Sequence, residues 1–218
     1  MALIRSVFQE ELDGVSQSLV DLTNMVSDSI QKATQALISA DLKLAEEVIT
    51  FDEKVDNYQH DLDSRIIDII ARQQPVASDL RALVTALRMS ADLERMGDLA
   101  HHVAKVARLR HPNSAVPNEL HATITQMGSV AEKIARKVGS VIETRNTLLA
   151  LEVEKDDDEM DQLHRQLISV LIAPTWEHGI ETAIDLTLLG RYYERYADHA
   201  VSVARRVYFL VTGEYSPA

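Results

Sequence analysis

One stretch of this chain is written twice. ADLERMGDLAHHVAK, residues 91–105, returns one hundred positions later as RYYERYADHAVSVAR, residues 191–205. Glu, Arg, Asp, Ala, Val and Ala recur at 94/194, 95/195, 98/198, 100/200, 103/203 and 104/204. A small residue fills 97 and 197, and a basic one fills 105 and 205. On an α-helix, residues four apart lie one turn apart on the same face, so each copy aims a Glu and an Asp in one direction. An internal duplication of this kind restricts the fold to two versions of one unit.

That unit is helical. Val15, Leu19, Leu22, Val26, Ile30, Ala33 and Leu37 recur at helical spacing and predict a helix over about 3–39. Asp41 can cap a second helix, which Pro75 stops because proline cannot continue the backbone ladder. A third runs from 77–79 to about Arg110. HPNSAVPN (111–118) holds two prolines and places the boundary between halves, 1–111 and 112–218, with Asn118 as the expected N-cap of the next helix. The pattern then repeats. A fourth helix, about 119–146, matches the first at an offset of 104, and a fifth, about 148–172, matches the second at 105. Pro174 falls where Pro75 fell, and a sixth helix, about 176–211, ends at Gly213. Long antiparallel helices with short loops close into bundles. The expected fold is all-α: two tandem three-helix bundles related by duplication.

The formal charge of −12 argues against a nucleic-acid binder, whose footprint is a basic face. Without cysteine there is no thiolate metal site, disulfide or cysteine nucleophile. No apolar run approaches the roughly 18–20 residues that span a bilayer, and MALIRSVFQEELDG does not read as a signal peptide. A soluble, cytoplasmic chain is expected.

Glu94 and Asp98 flank the apolar stripe of the third helix on its exposed side, and Glu194 and Asp198 do the same on the sixth. His101 continues the first line, with His102 at its edge. Positions 201 and 202 are Val and Ser, so only the first half has an imidazole there. The second and fifth helices add Asp52 with Asp56, and Asp157 with Asp161. Like charges at that spacing cost only about 0.2–0.5 kcal/mol on an exposed helix, and most such pairs are simply solvated. If neighbouring helices bring the pairs together, repulsion grows until arginine (Arg95, Arg191, Arg195) or a hard cation neutralises it. Asp161-Gln-Leu-His164 has a ligand-like spacing, but Gln59 stands at the equivalent place in the first half, so His164 is expected to be structural. Tyr193 and Tyr196 are expected in the core and between bundles. Arg205, Arg206 and the Arg108–Arg110 run are expected to be solvated helix ends. No phosphate loop, nucleophile elbow or catalytic triad is visible, so no enzyme is expected.

Pro75-Val-Ala-x-Asp79-Leu80-Arg81, then Asp92-Leu-Glu94-Arg95-Met96-Gly97-Asp98, closely resembles the PhoU family of phosphate-signalling proteins. Tyr193-Glu194-Arg195-Tyr196-Ala197-Asp198-His199-Ala200 resembles that family's second copy, and the likeness covers essentially the whole chain. The resemblance implies a cytoplasmic negative regulator of the phosphate-starvation response that modulates phosphate uptake. It would couple the ATPase subunit of a high-affinity phosphate ABC transporter to a sensor histidine kinase. A homodimer is expected, touching the membrane only through those partners. The resemblance also implies metal, multinuclear iron or else Mn, Mg or Zn, held by Glu94, Asp98, Glu194 and Asp198, with Asp52, Asp56, Asp157, Asp161 and His101 as further ligands. Around 174–182, PTWEHGIET replaces PVASDLRAL, and the two sites need not be equivalent. A metal store or carboxylate-bridged oxidase, and a plain helical scaffold, are the alternatives.

Overall fold

The computed structural model describes residues 2–214, with side chains from Val7 onward. The periodic stripes become six long helices: α1 (Ala2–Ser39), α2 (Leu42–Gln73), α3 (Ala77–Arg110), α4 (His121–Thr144), α5 (Thr147–Leu171) and α6 (Gly179–Thr212). Asp41 caps α2 as expected, its side chain accepting from the Leu44 amide. Asn146 does the same for α5 through the amides of Leu148 and Leu149. Gly213, at φ +77°, closes α6 in the left-handed conformation that glycine adopts without penalty.

Two helix starts differ from the sequence expectation. Asn118 opens a single 3₁₀ turn (Asn118–Leu120) and caps nothing, and α4 begins only at His121. α6 starts at Gly179 rather than near 176, because the Trp176 indole donates to the Gly179 carbonyl at 2.8 Å and holds the preceding chain in a turn.

Within the first half α1, α2 and α3 pack mutually at α1–α2, α1–α3 and α2–α3, and the second half repeats the arrangement with α4, α5 and α6. The halves meet along α1–α4 and α3–α6. Both seams are antiparallel. A Cβ on Gly139 would face Thr23 and one on Gly128 would face Thr34, so numbers fall along α4 as they rise along α1. Across the other seam Asp92 meets Arg206, and Arg110 meets Asp185. α1, α3, α4 and α6 therefore enclose the interior, α2 and α5 lie outside, and one apolar cluster runs through both halves.

The residues that distinguish the second signature from the first do their work in this interior. Tyr193 and Tyr196, which stand where Leu93 and Met96 stood, are completely buried against α1. The Thr34 hydroxyl donates to the Ile30 carbonyl, which leaves its oxygen to accept from Tyr193 at 2.8 Å. Tyr196 donates to the Val26 carbonyl at 3.0 Å. Each ring contributes buried apolar area while its hydroxyl stays satisfied. The two tyrosines are core and bundle-to-bundle contacts, as expected.

Arg110 and Arg206 are not the solvated ends that the sequence suggested, while Arg205 stays exposed but paired. Arg206 donates to Asp92 across the α3–α6 seam at 2.9 Å, and His199 reaches the same carboxylate at 3.1 Å. Arg110 bridges Glu181 and the buried Asp185. Arg205 pairs with Glu154 of α5 at 2.7 Å. These contacts join residues 51 to 114 positions apart, which no local pattern reveals.

Candidate functional site

The small residue in the signature explains how the acidic pairs meet. A Cβ on Gly97 would lie 3.0 Å from Val55 Cγ1 and 3.6 Å from Asp52 Oδ1. Glycine thus lets α2 approach α3 closely and brings Asp52 and Asp56 beside Glu94 and Asp98. Burial pushes the Asp56 carboxyl above its ordinary range, and the charges of Asp52 and Asp98 push it further. Burial likewise raises Glu94, with Asp98 adding to the shift, Arg95 opposing it, and Asp56 and Asp52 contributing again. Such mutual effects require proximity, so the four carboxylates form one cluster. They are less exposed than the sequence suggested: the side chain of Asp52 is 11% accessible and that of Glu94 24%.

His101 belongs to this cluster. Its Nδ1 is hydrogen-bonded to Asp52 Oδ2, while its Nε2 is buried without a partner. His102 turns instead into the α3–α6 seam and stacks on Tyr192 at 5.2 Å between ring centroids. Arg95 sits at the rim, 2.6 Å from Asp98 and 3.7 Å from Glu94.

The second half repeats the geometry with α5 and α6. Burial, then Asp198, Asp161, Asp158 and Glu194, raise Asp157 to about 7. One of its oxygens, Oδ1, is buried with no hydrogen-bond partner. Burial and Asp198 raise Glu194, Arg191 and His164 lower it, and Asp161 raises it. Arg191 pairs with Glu194, and Arg165 with Asp161 at 3.4 Å. Asp156, one position earlier, faces away and is held by Lys133 and Lys137 of α4.

Two members of this second cluster were not foreseen. Asp158 adds a fifth carboxylate at the edge. His164, expected to be only structural, lies over Gly190, where a Cβ would meet its ring at 3.1 Å, close enough for Glu194 to feel its charge. Imidazole is therefore not confined to the first half: one cluster takes it from the signature helix, the other from the helix before. The i,i+3 spacing of Asp161 and His164 was the available signal, and the unlike Gln59 concealed it.

Carboxylate oxygens with one imidazole are a donor set for hard or borderline divalent cations. The unpartnered Asp157 Oδ1 and His101 Nε2, one in each cluster, fit that chemistry, since a cation in either cluster would satisfy the atom there. As they stand, no group of three or more His, Asp or Glu among the described residues is arranged to hold a metal ion. No described helix is long and apolar enough to cross a membrane.

Known proteins are similar to this chain in sequence and in fold. A family model for the PhoU domain matches twice, over residues 19–107 and 124–207, and each match contains one acidic cluster. The phosphate-specific transport system accessory protein PhoU homolog 2 of Mycobacterium bovis is 43% identical, the alignment covering 97% of this chain and 100% of that protein. PhoU homolog 1 of Mycobacterium leprae is 44% identical over 97% and 96% of the two chains. The crystal structure of PhoU from Pseudomonas aeruginosa superposes with a TM-score of 0.88 at 29% identity, covering 95% of this chain and 100% of that one. The phosphate transport system regulatory protein PhoU from Streptococcus pneumoniae gives 0.86 at 26% identity, covering 97% and 100%. Duplicated helical architecture, paired acidic clusters and full-length similarity all lead to one assignment: this chain belongs to the PhoU family.

Proposed function

We propose that this protein is an accessory, regulatory component of a phosphate-specific transport system, acting as a negative regulator of the phosphate-starvation response. It is an adaptor rather than a catalyst, docking on the ATPase subunit of a phosphate ABC transporter and on a sensor histidine kinase. The observation that carries this reading is the pair of convergent acidic clusters on equivalent faces of a rigid helical body. Relatives that align over nearly the whole chain are named as accessory proteins of such a system, which supports it.

Asp52, Asp56, Glu94, Asp98 and His101 would hold a cation in the first cluster. Asp157, Asp161, Glu194 and Asp198, with His164 beside them, would hold one in the second. A bound divalent ion supplies charge neutralisation, allowing four crowded carboxylates to stay ionised together. The protein's own residues set the rest. Gly97 fixes the depth of α2, and Arg95 and Arg191 limit the net charge each face presents to a docking partner.

The test is a phosphate-starvation reporter in phosphate-replete cells lacking this protein. Wild type should silence the reporter. A variant with Glu94→Gln, Asp98→Asn, Glu194→Gln and Asp198→Asn should leave it on while retaining the wild-type helical content. Silencing by the variant would remove the clusters from the mechanism, and a reporter that ignores the deletion would refute the regulatory reading itself.

A further inference from the structure

The two ends of the molecule are not alike. Where α1 and α3 begin and α4 and α6 finish, a cavity of about 500 Å³ opens among Leu12, Leu19, Met89, Ile142, Val207 and Leu210. At the opposite end the duplicated positions are closed. Val116, the counterpart of Leu12, is buried with Ala115 and Leu120 as the linker folds inward. Arg110, the counterpart of Leu210, is tied down by Asp185 and Glu181. Among the described residues these counterparts are filled, and the cavity's volume lies in the range of small-molecule sites, about 300–1,000 Å³.

Two guanidiniums line it. Arg81 lies over the Phe209 ring at 5.7 Å, and Arg145 caps α4 at φ +54°. Among the described residues neither meets a carboxylate within ion-pair distance, whereas most of this chain's arginines do. The cavity's one carboxylate, Asp79, is hydrogen-bonded by Ser78 at 3.4 Å. Arg145 is shared with a shallower neighbouring hollow that contains Asp13 and Glu143, so Arg81 carries the larger part of any anion contact. We propose that this cavity binds a small amphipathic anion, a single hydrocarbon chain ending in a carboxylate or phosphate, with its chain on the apolar walls and its head at Arg81 and Arg145. It gives a role to Arg81 that the acidic clusters leave unexplained, and it does not depend on the regulatory reading above.

Titration calorimetry of the full chain tests this with hexanoate, octanoate, decanoate, decyl phosphate and decanol below their aggregation concentrations. Affinity for the carboxylates should rise about fourfold per methylene, the equivalent of about 0.8 kcal/mol per buried CH₂. Decanoate or decyl phosphate should bind at least about tenfold more tightly than decanol, and the better of the two identifies the head group. The double variant Arg81→Gln/Arg145→Gln should lose that preference while still binding decanol. Ala82→Trp, which fills the cavity wall, should abolish binding with the helical circular dichroism unchanged. Binding that ignores chain length, a decanol affinity equal to that of decanoate, or full anion preference in the Gln variant would each overturn the proposal. The Gln variant decides the matter even if the Trp variant fails to fold.

Discussion

Asp157→Asn should stabilise the metal-free protein at pH 8 and leave its stability nearly unchanged at pH 3. The carboxyl of Asp157 is raised from its ordinary 3.8 to about 7, first by burial and then by the neighbouring carboxylates. A raised acid keeps its proton in the folded state after the unfolded chain has released it. Stability is therefore full below about pH 4 and is lost as pH rises toward 7. The difference between 3.8 and about 7, at 1.36 kcal/mol per unit, sets a ceiling of about 4 kcal/mol. The group is only partly buried, and solvent screening reduces this to about 1–2 kcal/mol. Asparagine keeps the shape and removes the charge. Urea or thermal unfolding in EDTA should show the variant about 2–8 °C more stable at pH 8, at about 2–4 °C per kcal/mol for a chain of this size. Adding Mg²⁺ or Mn²⁺ should narrow the gap, since only wild type has the ionised oxygen to offer. A gain of equal size at both pH values, or a variant weaker than wild type at pH 8, would refute the electrostatic argument.

Other perturbations probe the seams between the halves. Gly128→Ala would place a Cβ 2.4 Å from Thr34 Cγ2 and should cost about 1–3 kcal/mol by forcing α1 and α4 apart, measured by chemical denaturation. Tyr193→Phe removes the bond to Thr34 and keeps the ring, so a loss of about 1 kcal/mol is expected. Burial alone would raise Asp92, but hydrogen bonds from His199 and Arg206 outweigh it and hold the carboxyl below its ordinary range. The stability that this contributes is present above about pH 4 and lost as pH falls below it. Asp92→Asn should therefore destabilise the protein by about 1–2 kcal/mol at pH 7, with the difference shrinking by pH 3 in a pH series of unfolding curves.

How far the site was legible follows the same division. Glu94 with Asp98 and Asp157 with Asp161 are i,i+4 pairs, and that relation survives whatever the helices pack against. That the pairs on neighbouring helices converge was legible only as a condition, met in the first half by the close approach of α2 at Gly97. The contribution of His164 was hidden because its repeat counterpart, Gln59, is unlike it. Arg110 and Arg206 looked like ordinary charged ends of helices, and their partners lie on a helix of the other half.

The sequence by itself determined the helices, most of their ends, the duplication and the faces that carry acid. Helical periodicity, caps and proline stops act within a few residues, so they are written locally. Only the tertiary structure decided that the halves share one interior through α1–α4 and α3–α6, that each acidic cluster has its own imidazole, and that one end stays open. Those outcomes depend on how far each helix slides and turns against its neighbour. Small residues and buried hydroxyls distant in sequence set that distance, and the spacing along any single helix does not record it.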